Sequence, residues 1–166
     1  MDAENRVKLG DLRVIQPGNV EKHWQPVPAN GLIEVHLAPD LVAMEHALGL
    51  GRQVVPPGSY VREHSHDRNE EVIHCTAGGG CAMLDGVAHR MVPGTTIFLG
   101  RNRRHLFLND GAVDLVFVWL IVPNGLETFF RAIGRPVAAG EPDPTPFPRP
   151  ADVLAIEART VFAPPP

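Results

Sequence analysis

The chain has 166 residues, enough for one domain with a substantial core and too few to expect two. Its 15 basic and 19 acidic residues leave a net charge of −4, so there is no electrostatic case for nucleic acid or for an anionic membrane surface. The opening MDAENRVKLGDLRV lacks the basic start and apolar run of a secretory signal, and the longest apolar run, residues 115–122, is too short to cross a bilayer. The expectation is a soluble, cytoplasmic protein.

From residue 31 onward, short β-type runs follow one another, separated by turn residues. They fall at 32–38, 46–55, 59–64, 71–76, 81–84, 88–91, 95–99, 105–109 and 113–122. The separators include Pro56-Pro57-Gly58, Gly78-Gly79-Gly80, Asp85-Gly86 and Pro93-Gly94. Strands at this spacing with no helical period between them predict an antiparallel sandwich or barrel. Cys75 and Cys81 flank one of these turns, where they would face each other across a hairpin as free thiols. Leu126, Phe129, Phe130 and Ile133 then form the stripe of an amphipathic helix that Gly134 and Pro136 would stop. A proline-rich stretch, residues 140–150, is expected to run extended over a surface, with a short helix over 151–159 after it. Phe147, Val161 and Phe162 indicate that this arm packs on something. The chain thus divides into an N-terminal extension (1–30), a barrel (31–122) and a C-terminal helix and arm (123–166).

Histidine is the unusual count, at eight. Side chains at i and i+2 of a strand share a face, so His64 and His66 point the same way, with Arg62 beside them if the strand is regular. On the next strand Glu71, Ile73 and Cys75 share one face, while Glu70, Val72 and His74 take the other. His105 opens a later strand. Imidazoles with one carboxylate suit a divalent transition metal, because nitrogen donors favour iron, nickel, copper or zinc and the carboxylate compensates charge. His23, His36, His46, His74 and His89 read as ordinary hydrogen-bonded or surface residues. Arg62 is a candidate partner for an anionic substrate, against the commoner fate of a salt bridge.

The spacing Gly58, five residues, His64, one, His66, four, Glu71, six, Gly78 resembles the first motif of the cupin superfamily. Gly94-TTIFL-Gly100-Arg101-Asn102, two arginines, His105, LFL, Asn109 resembles the second. There Gly100 replaces a proline and Asn102 a glycine; asparagine tolerates positive φ, so the turn is expected to survive. The resemblance implies an all-β, double-stranded β-helix (jelly-roll) barrel with a metal held by His64, His66, Glu71 and His105, and Glu70 as the fallback carboxylate. The metal implied is Fe(II) first, with zinc, manganese or nickel as alternatives. Arg62 and His105 are the candidate catalytic residues, and Phe98, Phe107, Phe117, Trp119, Met83 and Met91 the candidate walls of a substrate site.

The flanks, PANG, FLGRNRRHLFLN and GLETFFRAIGRP with PFPRPADV, are similar to the small cupin subunit of two-component hydroquinone ring-cleaving dioxygenases. This resemblance implies a non-haem iron dioxygenase of phenolic aromatics, using dioxygen, either alone as a homodimer or as the small subunit beside a larger cupin chain. Two alternatives stand next to it: a non-catalytic cupin used for metal or ligand binding or for assembly, and a redox-inert metal-dependent isomerase or lyase.

Overall fold

A computed structural model describes residues 9–164 apart from Ala139 and Glu141. The first eight residues of the N-terminal extension and the last two of the arm lie outside the described residues. Two antiparallel sheets face each other. The larger contains β1 (Glu21–Trp24), β2 (Leu32–Leu37), β3 (Gly49–Val55), β5 (Glu70–Ala77), β8 (Thr96–Leu99), β10 (Leu115–Val122) and β11 (Arg135–Pro136). Its order is β11-β1-β2-β3-β10-β5-β8. The smaller, ordered β4-β9-β6-β7, contains β4 (Tyr60–His64), β6 (Gly80–Leu84), β7 (Val87–Met91) and β9 (His105–Leu108). Successive strands cross between the sheets, which is the jelly-roll arrangement expected from the sequence.

The centre of the larger sheet is β10, LVFVWLIV, whose β-branched and aromatic residues fit a pleated surface packed on both flanks. Leu115, Phe117, Trp119 and Ile121 point inward and are buried. Burying each side chain of this size stabilises the fold by roughly 1.5–3 kcal/mol. Across the strand pair Trp119 stands opposite Gly51. A Cβ on Gly51 would come within 2.4 Å of the indole ring and 2.0 Å of the Glu34 carbonyl oxygen, so only glycine leaves room for Trp119.

Turns hold the two sheets in register. Asn102 has φ 62°, confirming that asparagine serves where the second motif expects glycine, and its N–H donates to the His66 carbonyl at 2.7 Å. Asn109 is fully buried. Its amide donates to the carbonyls of Val55 (2.7 Å) and Val113 (2.9 Å), and its Oδ1 accepts from the Gly111 N–H (2.9 Å). One side chain therefore ties the end of β3 to the loop that leads into β10.

All nine strand runs read from the sequence are present, and β1 and β11 are additional. β1 lies inside the segment read as an extension and pairs with both β2 and β11. The amphipathic stripe forms α1 (Leu126–Ile133), and the short helix α2 is Val153–Ala158. The arm packs on its own chain: the Val27 N–H donates to the Phe147 carbonyl at 2.9 Å, and Phe147, Val161 and Phe162 are buried. One expectation is corrected. Cys75 and Cys81 are free, but they are not hairpin partners, because β5 and β6 belong to different sheets. Among the described residues no helix is long and apolar enough to cross a membrane.

Asn109→Ala removes all three bonds, including the buried one to the Val55 carbonyl, so a loss of about 1–3 kcal/mol is expected. Urea unfolding should show a lower midpoint with an unchanged slope. A second expectation concerns acid. Arg131 donates to both oxygens of Glu21 at 2.6 and 2.7 Å, and that bond outweighs partial burial and holds the Glu21 pKa below its ordinary 4.5. The stabilisation is therefore present above about pH 4.5 and disappears as pH falls through the depressed value. Glu21→Gln should be less stable than wild type at about pH 7, and the gap should close on acidification in thermal melts.

Candidate metal centre

Three elements bring the four expected ligands together. His64 ends β4 and stands directly opposite His105, the first residue of β9, within the smaller sheet. His66 follows in the turn after β4. Glu71 comes from β5 in the other sheet, where Glu71, Ile73 and Cys75 point inward and Glu70 is exposed. The carboxylate choice left open by the sequence is therefore Glu71, because strand parity turns Glu70 to solvent. The potential donor atoms of His64, His66, Glu71 and His105 all lie within 4.8 Å of one another. The His64 and His105 rings are 4.1 Å apart, centroid to centroid.

Main-chain carbonyls set the tautomer of every imidazole. His64 Nδ1–H donates to the Arg62 carbonyl at 2.8 Å, His66 to that of Val161 at 2.9 Å, and His105 to that of Arg103 at 2.9 Å. A carbonyl only accepts, so Nδ1 carries the proton and the Nε2 lone pair of each neutral ring is turned to the centre. His66 Nε2 and His105 Nε2 approach Glu71 Oε2 at 3.4 and 3.3 Å, and all three of these buried atoms lack a hydrogen-bond partner. Buried polar atoms normally have partners, and three orphans aimed at one point are what a bound cation would satisfy. The donor set, three nitrogens and one carboxylate oxygen, fits a divalent transition metal.

The protonation states agree. Burial pushes the His64 pKa well below its ordinary value, reinforced by the His105 and His66 rings, so His64 is neutral. Burial alone would raise Glu71, yet His105 and His66 outweigh it and keep the carboxylate ionised. Burial would also lower His66, but the Glu71 charge beside it wins and raises it.

His64 and Glu71 reach into a narrow cleft with about 60 Å³ of free interior volume. Phe107 and Phe117 line it, as expected. Phe98 does not: it is 65 % exposed, because Ile97 and Leu99 take the inward positions of β8. Trp119 and Met91 are plain core and Met83 lies away from the cleft. The walls missed by sequence reasoning are Phe129 and Phe130 of α1 and Phe162 of the arm. Their apolar stripe signalled burial but not its location. Arg62 also lines the cleft, paired with Glu157, which simultaneously holds Arg149. Burial and the neighbouring Arg149 lower the Arg62 pKa without discharging the group. Of the remaining histidines, His23 bonds Glu21, His36 bonds Glu34 and His74 bonds Thr96, while His46 and His89 are exposed.

His105→Ala should lower metal affinity by more than about tenfold, since even loss of an outer partner costs 10–100-fold. Elemental analysis checks the metal, and circular dichroism should still show a folded β protein. Unfolding of the variant but not of metal-free wild type would make His105 a packing residue.

The Cupin domain family profile matches residues 51–121. Protein SchB of Streptomyces halstedii is 35% identical over 74 residues, covering 45% of this chain and 54% of that protein, so the match spans about half the length of this relative. Two solved structures share the fold. A predicted oxalate decarboxylase from Thermotoga maritima superposes with a TM-score of 0.58 at 23% identity, over 67% of this chain and 99% of the other. A sugar phosphate isomerase from Silicibacter pomeroyi gives 0.57 at 18% identity, over 66% and 75%. Both motifs converge on one cluster inside a jelly roll, residues 51–121 match a cupin domain, and the fold is shared with these two solved structures.

Proposed function

We propose that this chain is a metal-dependent enzyme of the redox-inert kind, an isomerase or lyase, acting on a small and largely apolar substrate through one of its oxygens. The observation that carries this reading is that two of the four clustered donors, His64 and Glu71, open into a cleft that five phenylalanines help to wall. Sugar hydroxyls set against those phenylalanines would lose their partners, at a cost of about 1–3 kcal/mol for each buried group. A carbonyl or enolisable compound with one or two oxygens avoids this cost. The names of two proteins sharing only the fold, a sugar phosphate isomerase and a predicted oxalate decarboxylase, belong to the same non-oxidative class of reaction.

A bound divalent ion supplies Lewis acidity, drawing electron density from a substrate oxygen. The chain does the rest. The carbonyls of Arg62, Arg103 and Val161 hold three Nε2 lone pairs in place, so no ligand must reorganise when the ion or substrate arrives. Glu71 stays ionised and offsets one unit of the ion's charge. Phe107, Phe117 and Phe162 exclude water, which strengthens every electrostatic contact at that end. Tyr60 also lines the cleft, and a phenolic hydroxyl can donate or accept a hydrogen bond there.

The aromatic wall favours a second reading, a non-haem Fe(II) dioxygenase of phenolic or hydroquinone-type substrates, acting alone or as the small subunit beside a larger cupin chain. A flat ring fits between phenylalanines in offset or edge-on contact. One experiment separates the two. Protein loaded with zinc, manganese or Fe(II) is given cyclohexanone in deuterated water and, separately, hydroquinone and catechol under an oxygen electrode. The redox-inert reading expects deuterium beside the carbonyl with more than one metal, loss of that exchange in Glu71→Gln, and no oxygen uptake. Oxygen consumption that requires iron transfers the assignment to the dioxygenase. A chain that retains no metal at all overturns both.

A further inference from the structure

The C-terminal arm places an unbalanced positive charge at the cleft. Arg62 of β4 and Arg149 of the arm both line it, and both donate through Nη2 to the same oxygen, Oε1, of Glu157 in α2. Glu157 is 8 % exposed, and among the described residues it is the only carboxylate in contact with either guanidinium. Glu63, next along the chain, is occupied by Arg104. Two cations against one anion leave a net single positive charge at this part of the cleft, apart from the Glu71 carboxylate at the ligand cluster.

A structural role alone does not explain the second arginine. One guanidinium satisfies a carboxylate in the usual forked geometry, whereas crowding two onto one oxygen brings like charges together in a half-buried place. The pair also faces the substrate space. The Arg62 guanidinium lies 5.6 Å from the centre of the Phe162 ring, and that ring lies 5.1 Å from His64. Phe162 thus stands between the arginine pair and the metal ligands, with an apolar surface for a substrate body.

We infer that the substrate is a small apolar carboxylic acid, an aryl or alkyl carboxylate, whose carboxylate is held by Arg62 and Arg149 while its other oxygen-bearing end faces His64 and Glu71. This rests on the function proposed above and deepens it. The surplus of one charge matches a monoanion, and a guanidinium pair presents the parallel N–H donors that a planar carboxylate accepts. Arg62 and Arg149 are then binding and orienting residues, and Glu157 positions them while moderating their field.

Calorimetric binding of benzoate and of its neutral isostere benzamide to the metal-loaded full chain tests this, with metal content measured on every sample. Wild type should prefer benzoate. Arg149→Gln should weaken benzoate roughly tenfold and leave benzamide nearly unchanged, and Arg149→Lys should recover part of the loss. Arg62 remains on Glu157 in these variants, so no buried carboxylate is stranded. Glu157→Gln should act in the opposite direction and tighten benzoate, because it removes the competing anion. A purely structural cross-link predicts loss in both directions or no change in ligand preference, and a carboxylate bound only at the metal predicts no response to either substitution. Either result overturns the inference, as does tighter binding of phenyl phosphate than of benzoate. Normal metal content with no benzoate preference sinks this subsite and leaves the proposed function standing. Missing metal sinks the proposed function, while a benzoate preference that Arg149→Gln abolishes in the same samples still upholds the carboxylate subsite.

Discussion

An ionised carboxylate, Glu71, is buried between the two sheets beside three imidazoles, and the organisation of the site follows from it. Leaving such a charge uncompensated would be far more costly than burying any neutral group, so the fold must supply positive charge within a few ångströms. It does so with imidazoles whose own electrostatics are poised. His66 is drawn toward protonation by the carboxylate while His64 is driven away from it by burial. A divalent cation satisfies all of these groups at once, whereas protons satisfy them only by leaving some rings in a compromise. The placement of one β5 residue against β4 and β9 thus gives the barrel a cluster that could hold a divalent cation.

That cluster is shaped by a segment outside the barrel. The acceptor that fixes His66 is the carbonyl of Val161, and Phe162 packs against the rings of both His64 and His66 at 5.1 and 5.3 Å. The Ala163 N–H donates back to the Ser65 carbonyl at 2.8 Å, so the arm is bonded on both sides of the ligand turn. Arm docking, His66 orientation and closure of the cleft are one structural event. The same arm carries Arg149 and Glu157, which ties the charge at the cleft mouth to the geometry at its base. Asn102, at positive φ, secures the opposite side of that turn through its bond to the His66 carbonyl. The ligand turn is thus hydrogen-bonded both to the loop before β9 and to the arm.

Much of this is legible in the sequence because it is local. Glycine, proline and Asx residues mark turns by their own backbone preferences, which is why nine strands can be placed from residue types and spacing alone. The period of two puts His64 and Glu71 on inward faces, and the motif spacing adds His66 and His105. The misses are all cases where the local signal is silent or ambiguous. Glu21–Trp24 mixes charge and aromatic residues without alternation, and it becomes a strand because β2 and β11 flank it. β8 reads TIFL, apolar on both faces, so nothing within it says that Phe98 rather than Ile97 turns outward. Arg62 and Glu157 are 95 residues apart, and no periodicity connects them.

The distribution of polar groups in the cleft argues for how a ligand is oriented. Charge is concentrated at two places, the His–Glu cluster and the arginine pair, with phenylalanine between them. Apolar contact is non-directional and would let a small body slide or invert along the cleft. Two electrostatic anchors of opposite demand remove that freedom: an excess positive charge selects the anionic end of a ligand, and the donor cluster, once it holds an ion, selects a neutral or enolic oxygen. Reversing the ligand would place its uncharged end against the guanidinium pair and leave that anchor unmet. Orientation is thus imposed by the cost of the wrong pose as much as by attraction in the right one. The aromatic walls can then be generic, which explains why they come from four unrelated places, β9, β10, α1 and the arm, with no shared motif.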